Sequence, residues 1–565
     1  MKKIIECVPN ISEGRDLPKI QAIASVVETV EGVKLLDIDP GKATNRTVIT
    51  FAGEPEQVVE AAFRLIKTAS EKIDMRKHKG EHPRMGATDV CPLVPVSGIE
   101  MEEVVLWAHK LGERVGRELG IPGYYYESAA VVPERKNLAY CRQGEYEGLE
   151  AKFASANGKP DFGIANPEIY HRTGAIAIGA RQFLVAYNVN LNTTSTRRAN
   201  AIAFDVRETG RVMREGDPIT GRIVTDAQGN PINIPGKLKA VKGIGWFIEE
   251  YGIAQISYNL TDISITPMHL AFEESCKSAE QRGLRVTGSE LIGLVPLKAM
   301  LDAGKYFLKK QERSVGISDE EIIKIAIKSL GLDELKPFIP KERIIEFKLA
   351  EDEVSPLIGM DLRRFANETA SESPAPGGGS ISAYVGSLGA SLAAMVANLS
   401  AHKRGWDDKW SYFSDWAEKA MNIQKTLLFL VDEDTKAFNR IMEALGLPKS
   451  NDAEKQARAM ALNDATKYAI EVPLSAMKTA FQAFDVLKSM AEFGNPNSVS
   501  DAGVGALCIK AAIHGAFLNV KTNCMGFQDR SFVEGVLKEG EIILNDAKLL
   551  ETEILEICDR VMMKL

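Results

Sequence analysis

Lys341-Glu342-Arg343-Ile344-Ile345-Glu346-Phe347-Lys348-Leu349-Ala350-Glu351-Asp352-Glu353-Val354-Ser355-Pro356 is the stretch at which the chain changes character. Residues 341–347 read as the close of a strand-like run, and 349–356 are acidic without apolar periodicity, which marks a linker. Before it, short β-branched runs alternate with amphipathic segments. Residues 3–8, 33–37 and 46–51 read as strands, and 18–30 and 56–73 as helices. A second stretch of this kind begins near Ala175, with strands predicted at 183–191, 254–259 and 263–266 and a helix at 268–282. Between the two, 211–236 is dense in Gly, Asp, Asn and Pro and reads as a long β-hairpin or surface excursion. Beyond the linker the period changes to that of helices, at 380–401, 406–443, 452–492, 502–523 and 529–563. Pro473 lies inside the third of these and is expected to kink or split it, because proline lacks the N–H that a helix interior needs. The chain is thus expected to be multidomain: two α/β mixed-sheet subdomains (1–182 and 183–346), a linker (347–360), and an all-α helix bundle (361–565).

Composition agrees with several ordinary globular cores: 565 residues, 45% apolar, 26% charged. Sixty-nine Lys and Arg against 77 Asp and Glu leave a net charge of −8, which argues against a general nucleic-acid binder. The seven cysteines are scattered and form no CxxC pair, so neither a disulfide framework nor a structural zinc site is expected, and a reducing, cytoplasmic location fits. Glu6 and Pro9 interrupt the basic start before any long apolar region, so no signal peptide is expected. Residues 381–401 carry no charge and are long enough to span a bilayer, but Ser382, Ser387, Ser391, Asn398 and Ser400 are spread among Ala and Gly. A buried helix is expected there, and no membrane partner.

Arg76-Lys77-His78-Lys79-Gly80-Glu81-His82-Pro83-Arg84-Met85-Gly86 gathers cations, two histidines and two glycines in an otherwise acidic chain. Pro83 biases His82 towards an extended loop conformation, where an imidazole can accept a proton from an attacking amine at neutral pH. The alternative is a solvated basic loop. Upstream, Asp37 and Asp39 end a predicted strand on one side of it, and Asp39 is the better site candidate.

Together with this segment, Glu6-Cys7-Val8-Pro9-Asn10-Ile11-Ser12-Glu13-Gly14, Thr44-Asn45-Arg46-Thr47-Val48, Gly144-Glu145-Tyr146-Glu147, Pro160-Asp161-Phe162-Gly163 and Gly243-Ile244-Gly245-Trp246 resemble glutamate formimidoyltransferase. The resemblance implies that His82 is the catalytic proton acceptor. It also implies that the segment from Gly163 to Gly174, with Ile164, Ala165, Asn166 and Thr173, contributes to folate binding. Charge complementarity then suggests Asp39 for the cationic amidine, and Arg46 and Arg84 for the substrate carboxylates, with a surface ion pair as the alternative for each arginine.

In the helical region, Ser373-Pro374-Ala375-Pro376-Gly377-Gly378-Gly379-Ser380 leads into the uncharged helix and can present backbone N–H groups. In Leu430-Val431-Asp432-Glu433-Asp434-Thr435-Lys436-Ala437-Phe438, Asp434 shares a face with Ala437 and Phe438, while Asp432 points elsewhere. Asn495-Pro496-Asn497-Ser498-Val499-Ser500-Asp501-Ala502-Gly503 breaks one helix and starts another, with Ser500 or Asp501 suited to cap it. These segments resemble the formimidoyltetrahydrofolate cyclodeaminase and methenyltetrahydrofolate cyclohydrolase family. The resemblance implies that Asp434 is the catalytic acid and that the bundle dimerises. The order of the two parts resembles the bifunctional formimidoyltransferase-cyclodeaminase family.

The expectation is a cytoplasmic transferase and lyase of histidine degradation. N-formimidoyl-L-glutamate would give its formimidoyl group to tetrahydrofolate, and the product would cyclise to 5,10-methenyltetrahydrofolate with release of ammonia. Tetrahydrofolate is the co-substrate, and Lys77 and Lys79 would hold the anionic tail of a polyglutamylated form; no metal is expected, and a homo-oligomer through the helical domain is. The alternatives are a formyltransferase acting on N-formylglutamate joined to a cyclohydrolase, and a catalytically idle folate-binding scaffold.

Overall fold

The computed structural model describes residues 3–42, 44–80, 83–216, 221–350 and 357–564. It divides into two compact units, Met1–Ala303 with Leu330–Asp352, and Gly304–Ser329 with Glu353–Leu565.

In the first unit β1 (Ile4–Cys7), β2 (Asn10–Ile11), β3 (Val33–Gly41), β4 (Arg46–Gly53), β5 (Thr88–Ser97), β6 (Gly123–Glu127) and β7 (Ile176–Ala180) form a seven-stranded sheet. β3 pairs with β4, and β1 and β2 lie between β4 and β5, all antiparallel. β5, β7 and β6 run parallel, so the sheet is mixed as expected. The helix Pro55–Lys72 buries Val58, Ala62, Leu65, Ile66 and Ala69, a single helical face. With Val104, Ala108 and Leu111 of Met101–Arg114 it meets Ile5, Phe51, Leu93 and Ile178 in one core. On another part of the sheet Val90, Tyr124, Tyr126 and Ala177 pack against Cys141 and Leu149.

β9 (Arg211–Val212) and β10 (Asn233–Ile234) make a two-stranded hairpin, in agreement with the reading of 211–236. The other strands of this half are β8 (Val185–Leu191), β11 (Val241–Ile248), β12 (Ile253–Leu260) and β13 (Val286–Ile292), an antiparallel sheet in the order β11-β12-β8-β13. The glycines of Gly243-Ile244-Gly245-Trp246 have a packing role. A Cβ on Gly245 would lie 2.2 Å from the backbone nitrogen of Asn200, in the helix Thr196–Val206. The amide of Asn200 closes this contact by bonding both the N–H and the carbonyl of Gly245 at 2.9 Å.

Two predicted strands are absent. Residues 263–266 form a turn, because the Asp262 carboxylate accepts from the N–H and hydroxyl of Ser264 and its carbonyl from the N–H groups of Ile265 and Thr266. The strand-like run at 341–347 is helical, at Pro340–Arg343 and Ile345–Ala350. Its β-branched pair makes one parallel bridge, Val295 to Ile344. Residues 304–329, within the span read as the second α/β part, pack in the helical unit. There Asn398 donates to the Gly316 carbonyl at 2.7 Å, Val315 N–H to Ser414 at 3.0 Å, and Lys425 pairs with Asp319. Of the expected linker, 351–356 lie outside the described residues.

The second unit is a bundle of Gly378–Ala401, Trp410–Gly446, Asp452–Phe481, Ala483–Phe493, Val499–Cys524 and Arg530–Met562. The uncharged Gly378–Ala401 is its axis: Gly386, Gly389, Ala390, Ala393 and Ala397 are buried and admit its neighbours closely. Helix Asp452–Phe481 continues through Pro473 without splitting there, and the break comes at Gln482. Asn523 supplies the reason. The Ala469 carbonyl, which Pro473 cannot serve, accepts from the Asn523 side-chain amide at 2.7 Å. Neither Ser500 nor Asp501 caps the next helix. Val499–Cys524 already begins before them, and Asn495 caps the short turn Pro496–Ser498.

Candidate functional sites

On β4 the residues facing the helices, Thr47, Ile49 and Phe51, are buried; Arg46 and Val48 alternate to the opposite face. Asp39 pairs with Val48, so Asp39 and Arg46 are diagonal neighbours on that face, and Asp39 is exposed. Asn10, also paired with Val48, accepts from Arg46 Nη2 at 2.6 Å. Arg46 shares the buried Asp89 with Arg142, at 4.0 and 2.5 Å. Burial presses the Arg46 guanidinium down to about 10, against the attraction of Asp89 and with the repulsion of Arg142.

His82 and Glu81 lie outside the described residues, but both ends of their loop are fastened. Asn45, at φ +47°, is the hub. Its side chain accepts from the Gly14 N–H and donates to the Lys79 carbonyl, both at 2.9 Å, and its own carbonyl receives His78 Nε2 at 2.8 Å. On the far side, Arg84 Nε donates to His78 Nδ1 at 3.3 Å, and its two terminal nitrogens grip Glu147 at 2.9 and 2.7 Å and Glu145 at 3.1 Å. The guanidinium suggested for a substrate carboxylate is thus directed at two carboxylates of its own chain. The segment Gly144-Glu145-Tyr146-Glu147 exists in part to hold it, and the Tyr146 N–H bonds the Arg84 carbonyl at 2.9 Å. Glu145 and Glu147 were not among the expected site residues, and nothing in their spacing names Arg84 as the cation they hold.

The segment from Gly163 to Gly174 docks against this same loop. Gly174 has φ +68°, and a Cβ there would stand 2.1 Å from the Met85 carbonyl oxygen. Ala87 N–H bonds the Thr173 carbonyl at 2.7 Å and Ala175 N–H the Met85 carbonyl at 2.9 Å. Gly163, at φ +71°, lies against the backbone of Ile121. Between these anchors Asn166 caps the helix Pro167–Thr173 through Glu168 N–H, Ala165 is half-buried, and Ile164 is 78% exposed. Such a glycine-hinged loop exposes one apolar side chain, Ile164, and docks on Met85 through its Gly174 end.

In the helical unit the structure joins two of the three singled-out segments. Asp434 Oδ2 accepts the Ser380 hydroxyl at 3.0 Å, and a Cβ on Gly379 would fall 2.1 Å from Asp434 Oδ1. Burial raises the Asp434 pKa, while the Ser380 hydroxyl and backbone N–H oppose the rise. Its neighbours are otherwise engaged: Asp432 accepts the Leu357 N–H at 3.0 Å, and Glu433 binds the Tyr468 hydroxyl. The Asn-Pro-Asn segment is not brought to Asp434. Asn495 N–H bonds Ser400, at the other end of Gly378–Ala401 and about 30 Å along the axis from Ser380. There Gly494 and Pro496 line a cleft with Trp406, Tyr412, Phe413 and Phe493. Among the described residues no group of three or more His, Cys, Asp or Glu is placed to hold a metal.

Residues 4–181 match the family model of the formiminotransferase domain, N-terminal subdomain, 186–350 that of the formiminotransferase domain, and 361–541 that of formiminotransferase-cyclodeaminase. The chain is 41% identical to the formimidoyltransferase-cyclodeaminase of Mus musculus over 97% of both chains. It belongs to the formimidoyltransferase-cyclodeaminase family. Members of this family are bifunctional enzymes, and both parts of one are present here. Each part also has shorter relatives. The glutamate formimidoyltransferase of Streptococcus pyogenes serotype M1 is 40% identical over 55% of this chain and 95% of its own. The methenyltetrahydrofolate cyclohydrolase of Methylorubrum extorquens is 38% identical over 34% of this chain and 94% of its own.

Proposed function

We propose that the first unit transfers the formimidoyl group of N-formimidoyl-L-glutamate to N5 of tetrahydrofolate, and that the second closes the product to 5,10-methenyltetrahydrofolate. In the transfer, N5 attacks the amidine carbon and gives its proton to His82, and the bond from that carbon to the glutamate nitrogen breaks as the nitrogen is protonated. Asp39 faces the cationic amidine and Arg46 a substrate carboxylate; Arg84 acts as a clamp on the His82 loop. The 163–174 loop lies along the folate. In the cyclisation, N10 attacks the same carbon, Asp434 carries the N10 proton to the departing nitrogen, and ammonia leaves. A half-buried carboxylate whose pKa is raised suits such two-way proton traffic.

The observation that carries this reading is that Asp434 meets the glycine-led helix start in one unit, while the frame around His82 meets the 163–174 loop in the other. Incubation with N-formimidoylglutamate and tetrahydrofolate is expected to release ammonia. His82→Ala should abolish transfer alone, and Asp434→Ala cyclisation alone. The likeness to the cyclohydrolase favours a second reading for the helical part, which formate release without ammonia would support.

We further propose a homo-oligomer through the bundle, in a reducing cytoplasm. Ile381, Val385, Leu388, Leu392, Met395 and Leu399 alternate steps of four and three along one face of Gly378–Ala401, and Leu388, Met395 and Leu399 are exposed. Val504, Leu507 and Leu518 continue an exposed apolar stripe on Val499–Cys524. Sedimentation of Leu388→Glu against the parent tests this, and an unchanged mass would exclude that face.

A further inference from the structure

The structure assigns Ser380 a role not yet attributed to it: we infer that Ser380, with Gly379, is the positioning residue that holds Asp434 over the helix start in the ionisable state that ring closure needs. The inference rests on the assignment of Asp434 above.

Three observations converge. Ser380 is fully buried, and its hydroxyl donates to Asp434 Oδ2 at 3.0 Å. The neighbouring Gly379 leaves room that no other residue would leave, since a Cβ there would stand 2.1 and 2.6 Å from the two carboxylate oxygens. The helix behind them runs for 24 residues and has no side-chain cap of its own at Gly377. Asp434, from a different helix, is therefore the carboxylate at its start, where the unpaired N–H groups and the helix dipole favour the anion.

The surrounding charges are turned elsewhere. Gly378–Ala401 contributes none. On the helix of Asp434, Asp432 is turned to Leu357, and Glu433 to Tyr468 and Lys436. From Val499–Cys524, Asn519 lies against Gly378, His514 is exposed, and Lys521 lies over the Phe517 ring. Burial of the Asp434 carboxylate favours the neutral acid, and the helix start, through the Ser380 hydroxyl and backbone N–H, favours the anion. The serine is thus the counterweight that limits how far burial favours the protonated acid.

The test is the pH profile of the cyclodeaminase kcat on the full-length protein. In Ser380→Ala the loss of one donor to the charged form is expected to move the acid limb upward by about one pH unit. On the acid side of the limb the kcat should fall up to about tenfold with KM little changed, and transferase rates should stay at the parental level. Ser380→Thr, which keeps the hydroxyl, should return the limb towards its parental position. Should Ser380→Ala not fold, Ser380→Cys, with a weaker donor, should give a smaller displacement in the same direction. A profile that superimposes on the parent's overturns the inference. Asp434→Asn is run beside it. An inactive Asp434→Asn with an unmoved Ser380→Ala profile refutes the role of Ser380 alone, whereas an active Asp434→Asn refutes the assignment of Asp434 and this inference together.

Discussion

Arg84 Nε donates to His78 Nδ1, and because that nitrogen is the acceptor, the proton of the ring sits on Nε2 and is given to the Asn45 carbonyl. One neutral imidazole thereby joins the two ends of the segment that carries His82. Protonation would remove the acceptor and set an imidazolium against a guanidinium. Burial lowers the His78 pKa below its ordinary 6.5, which favours the form the network requires.

His78→Phe is accordingly expected to cut transferase kcat at least tenfold while leaving cyclodeaminase activity untouched, as measured by separate assays of the two steps. Because the folded-state pKa lies below the unfolded one, the stabilisation is complete above about 6.5 and declines as pH falls towards the folded value. Thermal melts of the parent should lose stability over that interval more than those of His78→Phe.

Glu6 gives a pH dependence of the opposite sign. It is 5% exposed on β1, and burial drives its pKa from 4.5 to about 7, against the attraction of Arg181. The folded state keeps a proton that the unfolded state releases, so stability is lost as pH rises through the window from 4.5 to 7. Glu6→Gln should stabilise the first unit by up to about 3 kcal/mol at pH 8 and by almost nothing at pH 4.5. Denaturant titrations at the two pH values would show it.

The Asn523 bond to the carbonyl left free by Pro473 predicts a coupled pair. Asn523→Leu strands a backbone acceptor and should cost about 1–2 kcal/mol in urea unfolding of the helical unit. In the background of Pro473→Ala, whose N–H can serve Ala469, the same substitution should cost distinctly less. A double-mutant cycle with no coupling would refute the account.

Gly174→Ala combines a left-handed φ with a methyl 2.1 Å from the Met85 carbonyl oxygen. It should push the 163–174 loop off the His82 loop, with a cost of roughly 2 kcal/mol or more and a marked rise in the KM for tetrahydrofolate. Ile164→Ala, on the exposed part of the same loop, should raise that KM with no loss of melting temperature.

Much of this was legible in the residues. The change of period near 341–356 separated the α/β part from the bundle, and Asp434 was distinguished from Asp432 by face alone. Other features were not legible, because they depend on groups distant in sequence. Nothing local to Arg84 says that Glu145 and Glu147 occupy it, and nothing local to Pro473 says that Asn523 rescues its turn. The run at 263–266 has strand-forming residues but an Asp in front of it that bonds the backbone first. The family resemblance supplied His82, and the described structure supplies only the frame around it.

Periodicity, glycine placement and proline are properties of neighbouring residues, and they sufficed for most element types, for the two-part architecture and for naming Asp434 as a candidate. Hydrogen bonds and burial between remote segments were decided only in three dimensions, since a donor selects its acceptor by proximity and geometry. So it was the tertiary structure that turned Arg84 from a candidate receptor into a clamp, moved residues 304–329 into the helical unit, and set Ser380 against Asp434.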